Sequence, residues 1–168
     1  MKSILKSLIV IGSLTVSTAS FAQKTAHIEL DSLLAIMPEM VEAKKASADY
    51  YKQLETTLTT MQKELNDKFA DYQANQAKYT DLIKQTKEKE VQDLQQRIQD
   101  FQVQAQTEFQ KKNDELTRPI NAKAKKAIEK VAKTKGYKMV VDSSVGVLLY
   151  TEPADDIFSA VKAELGIK

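Results

Sequence analysis

Cysteine and tryptophan are absent from this sequence, histidine occurs once, and only four glycines and three prolines interrupt its 168 residues. Each absence excludes something. Without cysteine there is no disulfide, no thiol nucleophile, no thiolate metal site and no lipid anchor on a leader cysteine. So little glycine leaves no phosphate-cradling loop. His27 has no second histidine to work with, and a general base needs an oriented partner, so it reads as a packing residue. Ser143 and Ser144 read as turn formers. The acidic group Glu152, Asp155 and Asp156 reads as a helix cap rather than a metal site. An enzyme is not expected, nor is a cofactor or a metal. Helix breakers this rare imply long helices.

What is present begins with a segment patterned like a secretory leader. Lys2 and Lys6 precede a short apolar run from Leu8 to Val16, and Ser20-Phe21-Ala22 offers small residues at the two positions inspected by a signal peptidase. Cleavage between Ala22 and Gln23 is expected. The alternative, a membrane anchor, needs about 20 apolar residues, and this run is shorter and holds Ser and Thr. Loss of Lys2 and Lys6 leaves 23 basic against 23 acidic residues, a neutral chain. The charge is uneven, since residues 111–138 carry ten Lys/Arg against three Asp/Glu.

After the leader, Thr25 to Leu30 alternates as a short strand, and Asp31 or Ser32 can cap a helical turn that ends at Pro38. From Glu39 to about Lys78 apolar residues form one stripe: Leu54, Leu58, Met61, Leu65, Phe69, Tyr72 and Tyr79. A second stripe runs from Val91 through Leu94, Ile98, Phe101, Ala105 and Phe109 to Val131. Both average about 3.6 residues per turn, near the straight-helix value, so a weakly supercoiled pair is expected rather than a strict heptad coil. Each rod would be about 60 Å long or more. Tyr79-Thr80-Asp81-Leu82 is the best reversal, with Thr80 as cap; one unbroken rod is the alternative. Pro119 predicts a kink or break where the hairpin meets the body. Gly136 ends the second helix, Tyr137 to Asp142 and Val147 to Tyr150 read as strands, and a last helix carries Ile157 and Val161.

The fold expected is therefore α+β, mainly α. Residues 1–22 form the leader, 23–38 the first part of a small body, 39–118 a long antiparallel hairpin with its tip near 79–82, and 119–168 the rest of the body. Two helices cannot cover every apolar side chain they carry. Near the tip, Phe69, Tyr72, Tyr79, Leu82, Ile83, Val91 and Leu94 are the candidates for an exposed binding surface, and exposed apolar patches mark partners. The basic segment 111–138 has three readings: a solvated face paired with acidic residues, a site for anionic lipid head groups, or a nucleic-acid patch, the last opposed by export.

Gly-Tyr-Lys-Met-Val-Val-Asp at 136–142, Tyr150 and Asp156-Ile157, together with Ile28 to Leu34 and Ile128 to Val131, resemble the Skp/OmpH family of periplasmic chaperones. The resemblance spans the chain after the leader. It implies a homotrimer whose body is built from Ile28, Leu30, Val140, Val141, Val147, Leu149, Ile157 and Val161, with strands joined across subunits. It also implies three hairpins around a cavity that holds unfolded outer-membrane β-barrel proteins in the periplasm without ATP. The neutral charge departs from strongly basic family members and shifts the weight to apolar contact. The rival reading is a structural coiled-coil adaptor of the envelope that grips one folded partner.

Overall fold

The computed structural model describes residues 24–146 and 148–167. The leader, the Ala22–Gln23 cleavage site and Val147 lie outside the described residues. Among the described residues two strands and four α-helices follow in the order β1 (Thr25–Ile28), α1 (Leu30–Ile36), α2 (Pro38–Asn75), α3 (Asp81–Lys135), β2 (Met139–Asp142) and α4 (Phe158–Glu164). Short 3-10 turns sit at Gln76–Lys78 and Pro153–Asp155. The fold is α+β and mainly α.

The two long helices make the hairpin. At about 1.5 Å per residue, the 38-residue α2 is about 57 Å long and the 55-residue α3 about 82 Å. Pro38 starts α2 at a position where its missing N–H is harmless. The reversal is made by Thr80, whose Oγ1 accepts the Ile83 N–H at 3.4 Å, with Asp81 in the positive first turn of α3. Gly136 ends α3 at φ +77°. The Tyr137 N–H reaches the Ala132 carbonyl and the Gly136 N–H reaches Lys133, the paired bonds of a left-handed helix end. Pro119 does not break α3, which continues from Asp81 to Lys135. The helix tolerates the lost bond because the residues after Pro119, Ile120 and Ala124, are packed into the core.

The body forms where α1, the base of the hairpin, the strands and α4 converge. Leu33, Met37, Ala124, Ile157 and Val161 are wholly buried there. β1 and β2 pair in parallel, Thr25 beside Met139 and Ile28 beside Asp142. A parallel pair needs a long crossover, and here the whole hairpin is that crossover.

Several expectations need correction. The first strand stops at Ile28, and Leu30 begins α1. Neither Asp31 nor Ser32 caps that helix. Asp142 of β2 does so from across the sheet, its Oδ1 accepting the Leu30 N–H at 3.3 Å and the Ser144 N–H at 2.9 Å. These bonds hold its carboxyl below the usual carboxylate range, with the Ser144 N–H the largest cause. The strand expected over 147–150 does not form at Leu148 to Tyr150. The second edge of β1 is already taken, by a bridge from His27 to Asp156 and by the Ile157 N–H donating to the His27 carbonyl at 3.1 Å. Leu149, expected in the body core, is fully exposed in the single chain, and Leu30, Val140 and Val141 are half-buried. Ile28, Ile157 and Val161 are buried.

Candidate functional site

The hairpin holds one antiparallel register from body to tip. Its cross-arm pairs are Glu39–Lys123, Ser47–Asn113, Tyr51–Phe109, Lys68–Glu90, Asp71–Lys87 and Tyr72–Glu88, and the midpoint of each falls within about a residue of Thr80. A single register requires a single seam. On α3 its buried residues are Leu94 and Ile98, and α2 answers with half-buried Leu58, Met61 and Leu65.

The far end is held by polar side chains. Lys68 reaches Glu90 at 3.0 Å and Lys87 reaches Asp71 at 3.4 Å. Asp71 also accepts from the Tyr79 hydroxyl at 3.2 Å and from the Asn75 amide at 2.9 Å. The Tyr72 hydroxyl donates to Glu88. These contacts set the local ionisation. The Lys87 ammonium, with help from Asn75 and Tyr79, keeps the Asp71 carboxyl below its usual range. Lys68 lowers Glu90 and is itself raised by it. The Glu88 hydrogen bond raises the Tyr72 phenol, and partial desolvation followed by Asp71 raises Tyr79.

Around this polar clasp the apolar candidates divide. Leu82 is 74% exposed, Phe69 49% and Ile83 42%. They sit on the two helices flanking the reversal. Tyr72, Tyr79 and Val91 are half-buried, and the hydroxyls of the two tyrosines serve the clasp. Leu94 leaves the set of surface candidates, since at 3% exposure it is sealed between the arms. Its stripe position resembles that of Val91, but it is closed off by the partner helix. Val103, at 70% exposure, was not singled out by the sequence. It lies off the stripe among glutamines, and that off-stripe position was the available signal.

The basic segment divides as well. Lys123 pairs with Glu39, and Lys130 with Glu164 at 2.6 Å. Among the described residues no other Lys or Arg of 111–138 is in an ion pair. Nor does any group of three His, Asp or Glu among them have a metal-binding arrangement, and no helix there is long and apolar enough to cross a membrane.

A small α+β body carrying a long helical hairpin, clasped by polar side chains near its tip with Leu82 and Ile83 exposed beside the reversal, defines the class of protein. The sequence model of the family described as outer membrane protein (OmpH-like) matches residues 24–165, and the chain belongs to that family. Among solved structures, a crystal structure of an OmpH-like protein from Caulobacter crescentus CB15, assigned provisionally as an outer membrane chaperone, superposes with a TM-score of 0.73 at 14% sequence identity. The match covers 84% of this chain and 82% of that one, and at this identity it establishes the shared fold. No curated protein matches.

Proposed function

We propose that this protein is an ATP-independent holdase of the periplasm, released from its leader after Ala22, that keeps unfolded outer-membrane β-barrel proteins from aggregating. The observation that carries the reading is the exposure of Phe69, Leu82 and Ile83 at the end of a hairpin standing clear of the body. Leu82 and Ile83 are exposed beside the reversal and Phe69 about three turns before it on α2, which places apolar surface toward the far end of the arm where a partner can reach it. An unfolded barrel chain presents alternating apolar residues and unpaired strand edges. Shallow contacts with several such tips retain it through effective concentration and leave it mobile. Release needs no nucleotide, because membrane insertion buries the client's apolar residues more completely than the tips do.

Several tips per assembly follow if the protein is a homotrimer. The two-stranded sheet, the exposed Met139, Leu149 and Tyr150, and the groove beside Ile128 and Val140 support a body completed by neighbouring copies. Sedimentation equilibrium at the trimer mass is expected, and a monomer or dimer would overturn it. For capture, a urea-unfolded barrel protein is diluted into stoichiometric trimer. Protection from precipitation is expected, and Phe69→Ser with Leu82→Ser should weaken it without dissociating the trimer. Unchanged precipitation would remove the holdase reading.

The unpaired lysines of 111–138 favour one accessory reading, attraction to anionic lipid head groups. Binding to anionic vesicles that weakens steeply with salt is its expected signature.

A further inference from the structure

Midway along the hairpin the seam opens into a slot of about 330 Å³. Leu54 and Leu58 line it from α2, Phe101 and Ala105 from α3, and the edge-to-face pair of Tyr51 and Phe109, 5.4 Å between ring centres, bounds it toward the body. Toward the tip the seam is closed again by Leu94 and Ile98, while toward the body the Tyr51–Phe109 pair separates the slot from a second recess of about 310 Å³ lined by Met40, Ala43, Lys44, Ser47, Asn113 and Leu116. Two local features coincide with the opening. The α3 stripe runs Ile98, Phe101, Ala105, Phe109, so the gap falls at its one small residue. On α2, the hydroxyls of Thr56, Thr57, Thr59 and Thr60 all bond back to carbonyls four residues earlier, a pattern that weakens and bends helices.

We propose that this slot receives one aromatic side chain of a captured unfolded polypeptide. The proposal rests on the holdase reading and assigns it a second, deeper contact than the tip. Size is the first argument. An engineered cavity of about 150 Å³ lined by Leu, Ile and Phe already binds benzene, and this slot is larger and open to solvent. Lining chemistry is the second. Phe101, Tyr51 and Phe109 offer ring edges and faces to an incoming ring. Charge is the third. The mouth carries the Glu55 carboxylate and the amides of Gln102 and Gln106, with no cation among the lining residues. A fatty-acid or phosphate head group would meet repulsion there, whereas the backbone of an extended peptide would meet amide donors and acceptors. Barrel strands alternate apolar and polar residues. One ring can therefore enter while its neighbours point back to water.

The test uses the full chain without its leader and the neutral fluorophore N-phenyl-1-naphthylamine. Saturable binding at one site per chain is expected, weakened at least tenfold by Ala105→Leu and unchanged by Phe69→Ser with Leu82→Ser. On the unsubstituted protein, a urea-unfolded barrel chain should displace the probe, and the same chain with its aromatics replaced by serine should need at least tenfold more. This series does not depend on how any variant folds. Probe binding by Ala105→Leu equal to the unsubstituted protein would overturn the proposal. So would laurate displacing the probe better than the aromatic chain, which would assign the slot to acyl chains. The two readings separate cleanly. Failed protection with retained aromatic displacement would sink the holdase reading and leave the slot. Full protection and undiminished client affinity in Ala105→Leu would sink the slot and leave the holdase reading.

Discussion

One helix, α3, lives in two environments. In its body half, Ile120, Ala124, Ala127 and Val131 are 6%, 0%, 7% and 7% exposed. In its arm half, Phe101, Ala105 and Phe109 continue the same stripe and are only half-buried. The side chains of the arm are larger and more apolar, so composition does not explain the difference. The number of neighbours does. In the body α3 meets α2, α1, β2 and α4, and small residues such as Ala43, Ala124 and Ala132 let these elements approach closely. In the arm it meets α2 alone, and one helix can cover only one side of a stripe. A single partner can still seal the middle of the stripe, as it does at Leu94 and Ile98, but it leaves Phe101, Ala105 and Phe109 half-open, whereas several elements close the stripe throughout the body.

The sharpest way to break this comparison is to remove the same side chain from each region. Leu33→Ala in the body, where Leu33 has no exposure, should cost about 2–5 kcal/mol. Leu58→Ala in the arm should cost about 1 kcal/mol, because its burial is partial. Urea denaturation of each reads the difference, and equal losses would show that the arm is packed as well as the body. Pro119→Ala probes the junction between the two. It restores the N–H that a proline withholds from the helix, and up to about 3 kcal/mol of stabilisation is expected by the same measurement. No gain would mean that the proline is matched by a local adjustment of the helix. A smaller loss is expected at the body end of α3. Gly136 sits at φ +77° with open space where a Cβ would go, so Gly136→Ala suffers backbone strain alone, about 1 kcal/mol.

The least effect should come from pH, confined to the tip. Asp71 and Glu90 have lowered folded-state values, so their contribution is present above the ordinary carboxylate range, about 4, and is lost as pH falls through the lowered values. Lys68 has a raised value, so its contribution is present below the ordinary lysine value of about 10.4 and is lost as pH rises through the raised one. Amide exchange around Tyr79 should therefore accelerate below about pH 4 and above about pH 10.4 relative to the body. Salt should blunt the clasp in the same way, since its groups are exposed. Exchange in the body rising first in acid would locate the sensitive carboxylates elsewhere, Asp142 being the first candidate.

Local signals were legible wherever a short stretch settles its own geometry. Thr80, Pro38 and Gly136 act within one or two turns of helix, and their caps, starts and stops stand in the sequence. Non-local choices were not legible. Nothing near Leu30 says that its N–H will be bonded by Asp142, 112 residues later. A strand propensity at 147–150 says nothing about whether an edge is free, and the bridge from Asp156 to His27 removes the edge of β1. Among the binding candidates, periodicity placed Leu94 and Val91 on one stripe. Only the position of the facing helix seals the first and leaves the second half-open.

The sequence by itself determined long helical stretches and an excess of apolar side chains over what one seam can hide, and it marked Thr80 as the best reversal while leaving one unbroken rod open. These follow from helical period and capping, which act over a few residues. The tertiary structure alone decided which of those side chains face water, that the strands run parallel across the hairpin, and that a slot opens beside Ala105. These depend on distances between segments far apart in the chain, and periodicity carries no information about such distances.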